Sequence, residues 1–204
     1  MTETIFNIIQ SISIIIASFV AIVGINSWRK EAKWKRKFEL AEEVLSSFYD
    51  VKEKIVSIRS PFSGNLEGSS RKQKENETKE EKENFDRAYI PFERYNKENE
   101  AFIRLYTLKF RFMAVFGKEH SKPFDEIKKI INDILFAAHY LGTHYWQQQG
   151  KKFSTEDAFE KHLSKMHEYE SVIWAGFLDK EDIIDKRVNE AINEIEIVCS
   201  NIKS

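Results

Sequence analysis

From Thr4 to Ser27 the chain carries no charged residue, a run of 24 positions whose centre, Ile12 to Ile25, is mostly Ile, Val, Phe and Ala. Coiled as a helix at ~1.5 Å per residue, such a run spans ~36 Å, enough for a hydrocarbon layer of ~30 Å with some tilt. Asn7, Gln10, Ser11 and Ser13 make its first third less apolar than the rest. The pattern then changes. Trp34, Phe38, Ala41, Leu45, Phe48 and Ile55 follow one another at spacings of 4, 3, 4, 3 and 7, with Lys52 in the skipped position. This heptad-like stripe predicts one helix running from the apolar segment to about Ile58. Its apolar face needs a cover, either the rest of the same domain or a second copy of the chain.

Pro61 ends that helix, because proline disfavours helical geometry in the residue before it. Ser63-Gly64-Asn65 and Gly68-Ser69-Ser70 read as loop. Arg71 to Asn84, nearly all Lys, Glu, Asn and Gln, reads as a solvated linker with at most a frayed turn around Glu80 to Glu83. Apolar positions resume from Phe85 to Phe116 as one helix, with Pro91 in its first turn or kinking it and Gly117 ending it. A further helix opens with Ser121 before Pro123 and runs to about Gln149. Its Phe124, Ile127, Ile131, Ile134, Ala138, Leu141 and Tyr145 alternate three and four apart, the clearest amphipathic pattern in the chain. Ser154 with Asp157 resembles a capping box for a helix that carries Phe159, Leu163, Met166, Tyr169 and Ile173 and stops at Gly176. Asp179 caps a last helix with Ile184, Val188, Ala191, Ile195, Val198 and Ile202 on one stripe. The expected class is all-α: an N-terminal transmembrane helix continuing into a cytoplasmic antiparallel helical bundle. The expected divisions are 1–27 as anchor, 28–60 as basic juxtamembrane segment and stem, 61–84 as charged linker, and 85–204 as a bundle domain packing with the stem.

Charge adds an orientation. The net charge of −1 hides an uneven distribution: Glu3 is the one charged residue among the first 27, and everything after is densely charged. Arg29, Lys30, Lys33, Lys35, Arg36 and Lys37 crowd the C-terminal flank of the apolar run, with Trp28 and Trp34 among them. Cations beside a span stay on the cytoplasmic side, which puts the N-terminus outside and the remaining chain inside. The same cations can attract anionic headgroups, and the indoles suit the interfacial zone. A cleaved signal peptide would need a basic leader, which Met-Thr-Glu-Thr is not. A buried core helix seldom runs this long without a charge. Within the run, Gln10, Ser13, Ala17, Ala21 and Gly24 fall near one helical face, where small residues admit a second helix and predict self-association. The expected partners are therefore the bilayer and a second copy or another protein. The near-zero net charge argues against nucleic acid.

Little chemistry is legible. His139 and His144, like His162 and His167, stand five apart, which on an α-helix turns their side chains roughly 140° from each other and away from a shared ion. No Glu precedes a His by three, as di-iron bundles require. No Arg precedes a His by four to six, as in helical ribonucleases of the HEPN type. Glycine-rich phosphate loops, Cys-x-x-Cys pairs and Gly-x-Ser-x-Gly elbows are absent too. No metal, cofactor or catalytic residue is expected. Cys199 reads as a small core residue. The densest candidate for ligand binding is His139, Tyr140, His144, Tyr145 and Trp146, followed by three glutamines. Rings and amides there can line a pocket or simply close one end of a bundle. Lys109, Arg111 and Lys118, interleaved with Phe110, Phe112 and Phe116, read as the basic outer face of a helix.

Several segments taken together resemble a widespread set of uncharacterised bacterial membrane-anchored proteins: Gly24-Ile25-Asn26-Ser27-Trp28-Arg29, Glu39-Leu40-Ala41-Glu42-Glu43-Val44, Ile58-Arg59-Ser60-Pro61-Phe62, Asn76-Glu77-Thr78, Phe110-Arg111-Phe112-Met113 and Lys122-Pro123-Phe124-Asp125. The likeness implies a bacterial origin, and with it a single-pass location in a bacterial inner membrane, and a standalone protein of this size; it carries no activity. Three functional expectations follow. One is a membrane-tethered interaction or scaffold module that self-associates or recruits a partner. Another is a ligand-sensing or enzymatic domain using the 139–149 patch. The last is a membrane-acting anti-phage effector.

Overall fold

A computed structural model describes residues 2–64, 66–176 and 181–202. It contains six α-helices and no strand among them: α1 (Thr2–Ile58), α2 (Lys79–Lys97), α3 (Asn99–Phe116), α4 (Lys122–Tyr140), α5 (Glu156–Ile173) and α6 (Ile183–Ser200). A short 3₁₀ turn, Lys118–Ser121, leads into α4, and a π turn followed by a 3₁₀ turn extends it to Gln148.

The helix expected to run on to Ile58 does so without interruption, over 57 residues. Its two halves live in different surroundings. Every side chain described from Glu3 to Glu31 is exposed, whereas burial begins at Leu40 and recurs at Ala41, Val44, Phe48, Val51, Ile55 and Ile58. The buried register is thus 41, 44, 48, 51, 55, 58, an unbroken alternation of three and four. It shares Ala41, Phe48 and Ile55 with the expected stripe, but Val44 and Val51 replace Leu45 and the skipped Lys52. Lys52 therefore interrupts nothing: its ammonium donates to Asn189 on α6 at 2.8 Å. The cover is the chain's own α3 and α6.

Two cores share α4. The larger joins α1, α3, α4 and α6 around Phe48, Phe112 and Phe124, whose rings meet edge-on or tilted, with centroids 4.9 Å (Phe48–Phe124) and 5.6 Å (Phe112–Phe124) apart. The smaller joins α2, α5 and the end of α4 around Ala138, Leu141, Trp146 and Ile173. Across the first core, Lys54 pairs with Glu98, Arg111 with Glu43, Lys52 with Asn189 and Arg59 with Asp182.

Three boundaries differ from expectation, each for a local reason. The run 85–116 is two helices, parted by the single residue Glu98 (φ −101°, ψ 8°), whose N–H still bonds the carbonyls of Arg94 and Tyr95. Pro91 lies buried in the interior of α2, not in its first turn. The supposed linker is also shorter and better fastened. Thr78 and Glu81 form a reciprocal capping box that starts α2 at Lys79, and Arg71 is nearly buried between Glu77 and Asp86. At α5 the cap is Thr155, whose hydroxyl accepts from the Ala158 N–H at 3.1 Å, and not Ser154. Thr155→Ala should then lower stability by about 1 kcal/mol, and Ser154→Ala should change the melting temperature hardly at all. Asp179 lies outside the described residues. The cap found on α6 is Asp182, which accepts from Ile184 and Asp185.

Candidate functional site

The 139–146 patch sits where α4 changes pitch. From Leu141 to Tyr145 the helix widens into a π turn, a rare form that interrupts the helical register. Gly142 makes this possible. A Cβ there would stand 2.4 Å from the Cβ of Ala88 on α2, so only glycine lets the two helices approach so closely.

The five candidate residues fall into three settings. Tyr140 stacks on His144, ring centroids 4.3 Å apart, and forms a triangle with Tyr145 and Tyr169 at 5.5–5.7 Å. His162 and Phe153 extend this cluster from α5 and the loop before it. The Thr143 hydroxyl donates to the His139 carbonyl at 2.8 Å and lies 2.8 Å from His144 Nδ1. Its one proton being committed, it accepts from Nδ1–H and leaves Nε2 of a neutral His144 as the acceptor. Burial, and the neighbouring Tyr169 and Tyr140, raise the pKa of the Tyr145 phenol. It therefore stays protonated and cannot serve as a base.

Trp146 belongs to neither a pocket nor a surface. It is fully buried, its indole N–H donates to the buried Glu170 at 2.8 Å, and the Arg87 guanidinium lies 4.2 Å over its ring. His139 faces the opposite side. With Thr143 it borders a groove of about 380 Å³ lined by Phe85, Ala88, Tyr89 and Phe92 and edged by Arg71, Lys72 and Lys74. Chemically, that groove offers rings for stacking and ammonium groups for a negative charge.

Arg71 anchors this edge. It forks onto Glu77 at 2.8 and 2.5 Å and reaches Asp86 at 2.6 Å. The guanidinium holds the Glu77 carboxyl down at about 2, against an ordinary 4.5. A carboxylate with its pKa depressed in the folded state contributes stability that is complete above about 4.5 and is lost as pH falls through about 2. Acid titration of the melting temperature should show a decline in that window, and Glu77→Gln should make it shallower, the remainder coming from other depressed carboxylates such as Glu93.

The other candidates are also placed. Lys109 pairs with Asp125 at 2.5 Å and Arg111 with Glu43 at 3.1 Å, while Phe112 is core and Phe110 is exposed. Cys199 is half-buried beside Ala41, and burial raises its thiol pKa to about 11, so it carries no thiolate at neutral pH. Among the described residues no cluster of three or more His, Cys, Asp or Glu is placed to hold a metal ion. Trp28 and the six flanking cations are exposed, and Trp34 stacks on Phe38 at 5.4 Å with its indole N–H buried and unbonded. Gln10, Ser13, Ala17, Ala21 and Gly24 are all exposed on α1.

Sequence reasoning missed the arginines that close the packed helices at the end away from the apolar segment. Arg94 donates to the carbonyls of Ser57, Ile58, Ser60 and Phe62 and pairs with Glu67, thereby capping the end of α1. Arg59 is fully buried and does the same for the α5–α6 junction. Their signal was faint: an arginine at the last turn of one helix and another inside an amphipathic one. Compared with protein-family models, curated proteins and solved structures, the chain matches none significantly.

Proposed function

We propose that this protein is a membrane-anchored interaction module. Residues 4–27 cross a bilayer once, with the N-terminus outside, and an antiparallel bundle of the C-terminal half of α1 with α2 to α6 lies on the cytoplasmic side. There it self-associates or recruits a protein partner. The observation that carries this reading is the exposure of the apolar segment around its whole circumference. Ile14, Ile15 and Ile16 are consecutive, point about 100° apart, and are each more than half exposed, as are Ile5, Phe19, Val20 and Ile22. One partner helix covers one stripe; only a surrounding medium covers every side. Left in water, each such side chain forfeits about 1.5–3 kcal/mol. The paired residues along α1, α3 and α6 support the antiparallel order. Because α3 and α6 already occupy the apolar stripe of the stem, self-association is left to the Gln10–Gly24 face or to the bundle surface.

Alkaline extraction of membranes tests the anchor. The full chain should stay in the pellet, and a chain beginning at Trp28 should become soluble and unfold cooperatively. Release of the full chain by alkali, or labelling of a C-terminal tag from outside intact cells, would overturn it. Crosslinking that finds strict monomers capturing no partner would remove the interaction half. The groove beside His139 favours a second reading, ligand sensing, because it combines the Tyr89 and Phe92 rings with Lys72 and Lys74. Tyr89→Ser should then abolish a ligand-induced thermal shift without lowering the basal melting temperature.

A further inference from the structure

The buried register of α1 reads 41, 44, 48, 51, 55, 58, and the face it presents to α3 continues toward the apolar segment through Leu40, Lys37, Arg36 and Lys33. An apolar contact with α3 would be continued there by apolar residues. Three cations stand in their place. The facing surface of α3 adds a fourth, Arg111, beside the small Ala114 and Val115. Between the two helices lies an open cavity of about 490 Å³ with these seven residues as its walls. Glu43, 3.1 Å from Arg111, is the acid at its edge, against four cations. Like charges gathered on facing helices repel one another unless an anion lies between them.

The geometry points to a binding site for the phosphate headgroup of an anionic phospholipid, built from Lys33, Arg36 and Lys37 of α1 and Arg111 of α3. The inference rests on the anchoring reading and gives it a chemical selectivity. Lys33 follows Ile25 by eight residues, ~12 Å along the helix, and helical side chains lean toward the N-terminus. A lysine of that length brings its ammonium back to the level of lipid phosphates. Arg111 supplies what a flexible basic tail lacks, a guanidinium fork held by a second helix that grips phosphate oxygens in pairs. The apolar wall of Leu40, Ala114 and Val115 suits the glycerol and methylene part of the headgroup region.

Native mass spectrometry of the full chain in neutral detergent, titrated with cardiolipin, phosphatidylglycerol or phosphatidylcholine, tests it. The two anionic lipids should be retained in preference to phosphatidylcholine. Arg111→Gln should weaken anionic-lipid retention about five-fold, the effect of one cation near a lipid surface. Lys118→Gln, which removes a cation outside the cavity, should leave retention unchanged, and both variants should keep the wild-type circular dichroism spectrum. Equal retention of all three lipids would overturn the site, as would an unaltered Arg111→Gln. So would displacement of the lipid by millimolar inorganic phosphate, which would mark a site for the free anion. Alkaline extraction separates the two proposals: a chain that stays in the membrane but shows no lipid preference sinks only this one.

Discussion

Arg59→Ala should be among the most destabilising single changes in the chain, costing about 3–5 kcal/mol, the usual consequence of removing one partner of a buried ion pair. Arg59 has no exposed surface, and its guanidinium holds five acceptors. Nε donates to the Val172 carbonyl at 2.8 Å, and Nη2 to the Ser171 carbonyl at 2.9 Å and, more weakly, to that of Trp174. The carboxylates of Asp182 and Asp185 lie at 2.9 and 3.3 Å. Burial pushes the Asp182 carboxyl up, and Arg59 with two backbone N–H groups more than reverses this, leaving it below its ordinary value. Without the guanidinium only the two backbone N–H groups oppose the burial of Asp182, and the carbonyls ending α5 lose their donors. The melting temperature of the full chain in detergent should fall by roughly 6–20 °C. Arg59→Lys should recover only part of the loss, since an ammonium cannot span acceptors arranged for a planar fork. A melting temperature within a degree of wild type for Arg59→Ala would show that this junction does not hold α1 to α5 and α6.

The second large effect is expected at Trp146. Trp146→Ala removes the largest fully buried side chain in the molecule and should cost about 3–5 kcal/mol. Trp146→Phe is more informative. It keeps a ring under Arg87 but deletes the N–H that Glu170 accepts, and Glu170 is only 5% exposed. An unmatched buried acceptor costs about 1–3 kcal/mol, so Phe should be intermediate. A further change, Glu170→Gln in the Trp146→Phe background, should regain stability by removing the stranded charge. These measurements also bear on the aromatic patch as a ligand site. If Trp146 contributed to recognition, its replacement would alter binding while the melting temperature held. A loss confined to stability assigns it to packing.

Long periodic patterns were the most legible features. The apolar run, the helix through Phe124 to Ala138 and the last stripe from Ile184 to Ile195 all reappear as helices, and in the last two the burial of one face dominates the energetics. What escaped was decided by single residues or by distant partners. The break at Glu98 carries neither Gly nor Pro. The cap at Thr155 lies one position from an equally plausible serine. Arg71 looked solvated because its partner Asp86 belongs to the next helix, and charge composition says nothing about such pairing. The π turn hid for a similar reason. Within it Gly142 meets Ala88 on α2, a residue far away in sequence, and neither Gly142 nor its neighbours announce a change of pitch. His139 to Trp146 are neighbours along the chain, but their separation into a ring cluster, a buried anchor and a groove edge depends on partners distant in sequence.

The unbroken backbone of α1 has a mechanical consequence. No hinge separates the apolar segment from the residues that enter the core, so torsion applied at one end arrives at the other with its phase preserved. Adding one residue between Ser27 and Leu40 would swing the packed helices by about 100° about the helix axis and lift them ~1.5 Å. Adding seven would nearly restore their azimuth while raising them ~10 Å. The length of the stretch between Ser27 and Leu40 thus fixes how the rest of the molecule is turned relative to the apolar segment.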